Sequence, residues 1–194
     1  MDNNLWSPYI FSESTIPSSV CDEIVNQYKE RSFTEASIDK GHINNIRKSN
    51  IIFADEYWIN AILYGYVTFA NHSNFNYELT DFDKETFQFT RYGKGDYYGL
   101  HRDFCPERDR VSYTRKLSIT VQLSDSDEYE GGDFVIDMSA YDGDFTNRKK
   151  SHTMTRRKGS IIVFDSRTPH EITPVTNGIR YSLVKWVHGD TPLR

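Results

Sequence analysis

The chain has 194 residues, a formal net charge of −5 and two cysteines, Cys21 and Cys105. This length suits one domain with a sizeable core, and the charge excludes a generally basic, nucleic-acid-binding surface. Two cysteines make no disulfide framework and are typical of a reducing compartment. Because the sequence has no run of 18 apolar residues and no signal-like start, it predicts a cytoplasmic location and no membrane partner.

Two helices are predicted in the first half of the chain, at residues 18–31 and 54–73. Both segments carry apolar residues at helical spacing, which is typical of helices that bury one face. In the second segment these residues are Trp58, Ile62, Tyr66 and Phe69.

From about residue 76 the pattern changes to short aromatic and β-branched runs separated by turn residues. The predicted strands are residues 85–92, 96–104, 115–124, 131–138, 160–166, 169–175 and 179–188. Strands at this spacing indicate a sandwich or jelly roll, supported by the two N-terminal helices. We therefore predict a single domain over 1–194, with a helical support region at 1–80 and a β core at 85–189.

The stretch "YYGLHRDF" places His101 and Asp103 two positions apart. On a strand both side chains share one face, and burying them without partners costs roughly 2–7 kcal/mol. They either pair with each other and water or share a cation. His170, at the start of an apolar strand, is the third candidate ligand. Two histidines and one carboxylate are the facial triad of non-haem Fe(II) oxygenases, although zinc can use the same ligands.

Arg180 lies ten positions after His170, across the turn signal "TNG". A two-residue turn would put Arg180 opposite Val175, on the face away from His170. A three-residue loop with Gly178 in the left-handed conformation would put it opposite Pro174, on the same face as His170. The guanidinium could then bind the far carboxylate of a five-carbon dicarboxylate. The alternative is a surface arginine that closes a hairpin.

Three stretches together resemble the Fe(II)- and 2-oxoglutarate-dependent dioxygenases of the prolyl 4-hydroxylase-like group, especially the bacterial PKHD-type hydroxylases. They are "YGKGDYYGLHRDF", "LSITVQLSDSDEYEGGDFVI" and "KGSIIVFDSRTPHEITPVTNGIRYSLVKW", and they lie within residues 85–189. The resemblance implies a double-stranded β-helix, a cupin-like jelly roll, with the N-terminal helices packed on its major sheet.

The resemblance also implies the roles of individual residues. The metal ligands are His101, Asp103 and His170, and no further catalytic residue is expected. Arg180 would bind the distal carboxylate of 2-oxoglutarate, with Tyr92 and then Tyr98 as additional contacts. The implied cofactors are Fe(II), 2-oxoglutarate as co-substrate and ascorbate as a candidate reductant. In animal prolyl hydroxylases a tyrosine that contacts 2-oxoglutarate occupies the position of Gln122, so this chain departs from them there.

The function implied is hydroxylation of a peptide or protein residue, with proline favoured, using dioxygen and releasing succinate and CO2. One alternative is a nucleic-acid demethylase of the same superfamily, to which the basic run at 148–158 would contribute phosphate contacts. That branch has a second arginine where this chain has Trp186, so nucleic acid is not expected as a partner. Another alternative is a non-catalytic jelly-roll binding module, which would not need the triad and Arg180. The charged segment 103–116 is either a substrate lid or a solvated loop.

Overall fold

The structure, a computed structural model, describes residues 7–36, 46–104, 113–139 and 151–190. The helices are α1 (Ser18–Tyr28) and α2 (Tyr57–Ala70), and a π-helical turn (Asn71–Phe75) continues α2. The strands are β1 (Tyr9–Ser12), β2 (Thr34–Ala36), β3 (Arg47–Ala54), β4 (Phe87–Tyr92), β5 (Tyr97–His101), β6 (Tyr113–Gln122), β7 (Tyr129–Gly131), β8 (Phe134–Asp137), β9 (Ser151–Thr153), β10 (Ile161–Asp165), β11 (His170–Ile172), β12 (Val175–Gly178) and β13 (Arg180–Asp190).

The strands form one long, curled antiparallel sheet with the order β1-β10-β6-β13-β4-β3-β5-β11-β8-β9, and β2 pairs with β3. The sheet changes direction at β3, whose residues 50–54 pair with β4 while residues 47–48 pair with β5. Strands β1, β10, β6, β13 and β4 form the major sheet, and β5, β11, β8 and β9 form the minor sheet. This is the double-stranded β-helix that the sequence predicts.

Alternating side chains on the major sheet separate two hydrophobic cores. On β10, Ile161 and Val163 face outward into a core shared with α1 and α2, whereas Ile162 and Phe164 face the interior between the sheets. This follows from the two-residue period of a strand. The helices therefore lie on the outside of the major sheet, as predicted.

The interior face of the major sheet is unusually polar for a buried surface. On β6 the outward residues are apolar, whereas the inward residues Ser118, Thr120 and Gln122 are polar. Each of these three is at most 5% exposed. On β13, Arg180 and Ser182 are buried on the same inner face, at 1% and 2% exposure. Buried polar groups are costly unless they are hydrogen-bonded. A buried face with this many polar side chains therefore indicates a binding site.

The buried face of α2 differs from the predicted one. Trp58 is 38% exposed and Phe69 is 66% exposed, whereas the residues that pack on the sheet lie one position further along. These are Ile59, Leu63, Val67 and Ala70. Because α2 is apolar around most of its circumference, its sequence offers two stripes, and the stripe with smaller side chains packs against the sheet.

The N-terminal region is also less helical than predicted, because β1, β2 and β3 all lie within residues 1–80. Strand β1 adds to the edge of β10, and β3 joins the two halves of the sheet. Cys21 is buried and unpaired, and Cys105 lies outside the described residues. Within the described ranges, no helix is long and apolar enough to cross a membrane.

The predicted hairpin between His170 and Arg180 is wrong. Strand β11 pairs with β5 and β8 in the minor sheet, whereas β13 pairs with β4 and β6 in the major sheet. Residues 175–178 form β12, which pairs with β7, and Arg180 lies opposite Tyr92 and not opposite Val175 or Pro174. His170 and Arg180 consequently approach each other across the interior and not along one ribbon.

Candidate metal centre and co-substrate pocket

His101, Asp103 and His170 come together between the two sheets, with one potential ligand atom from each within 4.8 Å of the others. His101 ends β5 and His170 begins β11, and these two residues are paired in register. Asp103 lies two residues beyond β5, where the Ser118 hydroxyl donates to its Oδ2 at 2.7 Å. Oδ1 is 3.7 Å from Nε2 of His101, and Oδ2 is 3.6 Å from Nε2 of His170.

Both imidazoles are held in the tautomer that a metal ligand needs. Nδ1 of His101 donates to the carbonyl of Gly99 at 2.8 Å, and Nδ1 of His170 donates to the carbonyl of Thr168 at 2.9 Å. Because a carbonyl can only accept, the proton is on Nδ1 in each ring. The lone pair on each Nε2 is left facing Asp103. Such hydrogen bonds on the outer nitrogen typically fix the orientation of ligating histidines.

The charge states of these groups also suit a divalent cation. Burial, together with the neighbouring His170, lowers the pKa of His101 to about 3, so its imidazole is neutral near pH 7. Burial alone would raise the pKa of Asp103, but its polar surroundings, among them Arg115 and the Ser118 hydroxyl, hold it below its ordinary value. Two imidazole nitrogens and one carboxylate oxygen are a mixed donor set for a first-row transition metal.

Arg180 lies in the same pocket and has no anionic partner among the described residues. It is 1% exposed, and its Nη1 and Nη2 donate to Ser182 Oγ at 3.3 Å and to Gln122 Oε1. Its Nε has no hydrogen-bond partner. A buried charge without a counter-ion is strongly unfavourable, so this guanidinium has the environment of a group that binds an anionic ligand.

The two tyrosines predicted as co-substrate contacts lie at different ends of the pocket. Tyr92 is 4% exposed, and the Cζ of Arg180 lies 5.4 Å from its ring centroid. Tyr98 stacks on His101 with the ring centroids 3.5 Å apart and an angle of 10° between the planes. Burial raises the pKa of Tyr98 to about 12, so its phenol is protonated near pH 7. Tyr92 is thus beside the arginine and Tyr98 is beside the candidate metal.

Two further pocket residues were not identified from the sequence as site residues. Arg47 lines the pocket with its Cζ 4.6 Å above the ring of Tyr98, on a strand that carries no recognisable motif. Trp186 lines the opposite wall, and Arg115 lies 4.0 Å over its ring while donating to Glu85. Trp186 shares the inner face of β13 with Arg180, six residues away, so strand periodicity could have identified it. Only the pairing of β3 with β5 brings Arg47 to the site.

In the basic run at 148–158, the described cations are paired within the chain. Residues 148–150 lie outside the described residues, as do residues 105–112 of the candidate lid at 103–116. The remaining arginines and the lysine of the run form ion pairs with carboxylates. The pairs are Arg156 with Asp133, Arg157 with Glu13, and Lys158 with both Asp22 and Asp125.

A family model described as the 2OG-Fe(II) oxygenase superfamily matches residues 87–188, which is more than half of the chain. The chain belongs to this superfamily. Among its curated relatives, a PKHD-type hydroxylase of Caulobacter sp. (strain K31) is 36% identical over 102 residues, covering 51% of this chain and 41% of the relative. A PKHD-type hydroxylase of Xylella fastidiosa (strain M12) is 30% identical over 107 residues, covering 52% and 43%. The chain thus matches about two fifths of the length of these relatives.

Solved structures of prolyl hydroxylases share the fold of this superfamily member over almost the whole chain. A prolyl-4-hydroxylase of Pseudomonas putida aligns with a TM-score of 0.73 at 19% identity, covering 95% of this chain and 94% of that one. A prolyl hydroxylase of Trichoplax adhaerens, in complex with a hypoxia inducible factor peptide, aligns with a TM-score of 0.70 at 20% identity, covering 94% and 84%. These likenesses confirm the double-stranded β-helix.

Membership of the superfamily implies Fe(II) and 2-oxoglutarate, and the pocket residues fit both. Two imidazoles that present Nε2 and one ionised carboxylate suit iron. The ligand types alone do not distinguish iron from zinc, but membership of the superfamily favours iron. The unpaired Nε of Arg180 suits one end of a dicarboxylate. The same pocket is also lined by apolar side chains, among them Phe134, Phe164 and Ile172.

Proposed function

We propose that this chain is an Fe(II)- and 2-oxoglutarate-dependent dioxygenase that hydroxylates a peptide or protein residue, with proline as the favoured residue. The observation that carries the proposal is a single pocket that contains both the His101–Asp103–His170 cluster and the buried, counter-ion-free Arg180. A non-catalytic binding module would need neither the open three-ligand set nor an unpaired guanidinium.

The chain's own residues would divide the work of the reaction between them. Iron held by His101, Asp103 and His170 supplies the redox chemistry, in which substrate, dioxygen and 2-oxoglutarate give hydroxylated substrate, succinate and CO2. Arg180 binds the distal carboxylate through charge-assisted hydrogen bonds and so fixes the direction of the co-substrate. Phe134 and its apolar neighbours exclude water around the reacting atoms. Ascorbate as reductant, the single-domain division and a cytoplasmic location remain predictions.

Three observations support a peptide substrate: the aromatic lining of the pocket, the names of similar proteins and the pairing of the basic run. Tyr98 and Trp186 line the pocket with aromatic surface, which suits an apolar ring such as that of proline. The relatives are named PKHD-type hydroxylases, and the Trichoplax prolyl hydroxylase is a peptide complex. The described cations of the basic run are already paired with carboxylates, which weakens the case for phosphate binding. No observation on the described residues favours the nucleic-acid demethylase.

Succinate formation from 2-oxoglutarate, with and without Fe(II), tests the reaction class. His170→Ala should abolish iron-dependent turnover and leave the circular dichroism spectrum unchanged, whereas His72→Ala, at an exposed histidine of the π-helical turn, should be fully active. Arg180→Ala should raise the KM for 2-oxoglutarate about 10- to 100-fold, from the loss of roughly 1.4–2.8 kcal/mol in a charge-assisted contact. Full activity of the His170 variant, or an unchanged KM in the Arg180 variant, would overturn these assignments.

The substrate class requires a separate comparison. The iron-loaded protein is incubated with proline-rich peptides and with methylated oligonucleotides, and products are identified by mass. A gain of one oxygen on proline supports the proposal. Loss of a methyl group from the oligonucleotides, with unchanged peptides, contradicts it.

A further inference from the structure

Gln122 lies beside Arg180 on the inner face of the major sheet, on the strand next to it. The two residues are on β6 and β13, and the amide of Gln122 is within hydrogen-bonding distance of the guanidinium. We propose that Gln122 is a positioning residue, which aims Arg180 at the distal carboxylate of the co-substrate and makes the pocket selective for dicarboxylic 2-oxo acids. This inference rests on the proposed function, because it concerns the affinity for 2-oxoglutarate.

The orientation of the Gln122 amide follows from its two neighbours. A guanidinium can only donate, so the atom that faces Nη2 of Arg180 must be the carbonyl oxygen Oε1. The Nε2 amide group then points toward the hydroxyl of Tyr129, at 3.4 Å. Gln122 is 1% exposed, so water cannot replace either contact without opening the sheet interior. The amide therefore accepts from Arg180 in one fixed direction.

The contacts of Arg180 leave part of its hydrogen-bonding capacity free. A guanidinium has five N–H bonds, and Gln122 and Ser182 each take one of them. The Nε–H, which has no partner, is among those that remain. The side chain is also confined on its other sides, by the ring of Tyr92 and by the backbone at Gly132, where a Cβ would lie 3.3 Å from Arg180 Cδ. An arginine fixed in this way loses little freedom when it binds a carboxylate.

The neutrality of Gln122 is central to this role. An amide orients the guanidinium and leaves its positive charge uncompensated, whereas a carboxylate at the same place would form a buried ion pair with it. Such a pair would compete directly with the distal carboxylate of the ligand. Gln122→Glu therefore tests whether this neutrality matters, and the uncharged Gln122→Met, which removes only the acceptor, discriminates between a positioning role and a merely structural one.

The experiment compares two ligands that differ only at the distal end. 2-Oxoglutarate and 2-oxopentanoate share the metal-binding 2-oxo acid, but the second has a methyl group in place of the distal carboxylate. Their dissociation constants are measured by calorimetry on the Mn(II)-loaded protein without dioxygen, and their ratio reports the net contribution of the distal carboxylate, which Arg180 is proposed to bind. KM and kcat for 2-oxoglutarate are measured alongside with Fe(II).

Gln122→Glu should reduce the preference for 2-oxoglutarate over 2-oxopentanoate at least about tenfold, because the new carboxylate neutralises Arg180. Gln122→Met, which keeps the length and adds no charge, should reduce it roughly three- to tenfold. Gln27→Met makes the same substitution on α1, on the outer side of the major sheet, and should keep the preference within about twofold of the wild type. In the glutamate variant the KM for 2-oxoglutarate should rise far more than kcat falls.

Equal weakening of both ligands in the Gln122 variants, with the preference unchanged, would show that Gln122 is only structural and would overturn the inference. The wild type separates this failure from failure of the proposed function. If the wild-type protein binds the two ligands equally or binds neither, the proposed function is wrong as well.

Discussion

At the scale of single residues, the tautomer and orientation of each candidate histidine ligand are fixed by the backbone just before it. The carbonyl that accepts from Nδ1 comes from the residue two positions earlier, Gly99 for His101 and Thr168 for His170. The tautomer is therefore set within three residues of chain, without a hydrogen bond from another strand. Asp103 is different, because its hydroxyl partner Ser118 comes from another strand.

Whether a site residue could be predicted from the sequence depends on whether it belongs to a local pattern or only to a contact between distant strands. The His-x-Asp pair and His170 belong to short local patterns, and the structure brings them together. Arg180 was identified through its spacing from His170 and the family resemblance. Its partner Gln122 could only be recognised as a departure from related sequences, because the contact requires two strands that are far apart along the chain.

Gly132 provides a prediction at this scale. Its φ is +62°, and a Cβ there would lie 2.8 Å from Val175 Cγ2 and 3.3 Å from Arg180 Cδ. Gly132→Ala should lower the free energy of unfolding by about 1–3 kcal/mol, since both the backbone conformation and the space disfavour a side chain. It should also raise the KM for 2-oxoglutarate several-fold by displacing Arg180. Denaturant unfolding and steady-state kinetics measure the two effects.

Gly65 is the matched control for this substitution. It lies within α2, and a Cβ there would have nothing within 4 Å. Gly65→Ala should therefore raise the free energy of unfolding by about 0.5–1 kcal/mol through helix propensity and leave the KM unchanged. Equal effects of the two alanine variants would contradict the role assigned to Gly132.

At the scale of secondary-structure elements, the segment between His170 and Arg180 shows how local turn chemistry can mislead. Gly178 does have a positive φ, +74°, as the loop argument required. However, a glycine is needed here because the backbones pack closely. A Cβ at this position would lie 2.1 Å from the carbonyl oxygen of Glu128, the residue just before β7. Residues 175–178 pair with β7, so the chain passes from the minor to the major sheet instead of turning back on itself.

Helix α2 provides the prediction at this scale. Leu63 is 1% exposed in the core between α2 and the major sheet, whereas the next residue, Tyr64, is 54% exposed. Leu63→Ala should cost about 2–5 kcal/mol of unfolding free energy through lost burial and the cavity it leaves. Because this core is on the outer side of the sheet, the KM for 2-oxoglutarate should not change at temperatures well below the Tm.

Tyr64→Ala removes a larger side chain from the adjacent position on the same helix. Thermal and denaturant unfolding of both variants should show a smaller cost at Tyr64 than at Leu63, because Tyr64 is 54% exposed. A larger loss at Tyr64 than at Leu63 would contradict the packing of α2 on the sheet through Leu63.

At the scale of the whole molecule, the sequence predicted the kind of fold but not how the sheet closes. The aromatic and β-branched runs after residue 76 correspond to observed strands, because alternation and turn residues are local signals. Strand β3, "RKSNIIFA", joins the two halves of the sheet, yet its polar beginning and missing alternation gave no strand signal. Its conformation depends on pairing with β4 and β5, which is a tertiary effect on a weak local preference.

The polar cluster of Glu85, Arg115 and His188 connects the segment before β4 to β6 and β13, so it contributes to global stability. Glu85 accepts hydrogen bonds from both Arg115 and His188 Nε2, each at 2.7 Å to Oε1. Burial alone would raise the pKa of Glu85, but these two partners lower it from 4.5 to about 2. Between these values the unfolded state binds more protons than the folded state. The stabilisation is therefore complete above about pH 4.5 and is lost as the pH falls through about 2.

Glu85→Gln should thus be more destabilising at neutral than at acidic pH. Denaturant unfolding of wild type and variant at pH 7 and pH 3.5 gives the cost of the substitution at each pH, and we expect it to be about 1–2 kcal/mol smaller at pH 3.5. Glu23→Gln, at an exposed position of α1, should show no such difference between the two pH values. An equal cost of Glu85→Gln at both pH values would mean that the hydrogen bonds from Arg115 and His188 do not lower the pKa of Glu85 in the folded state.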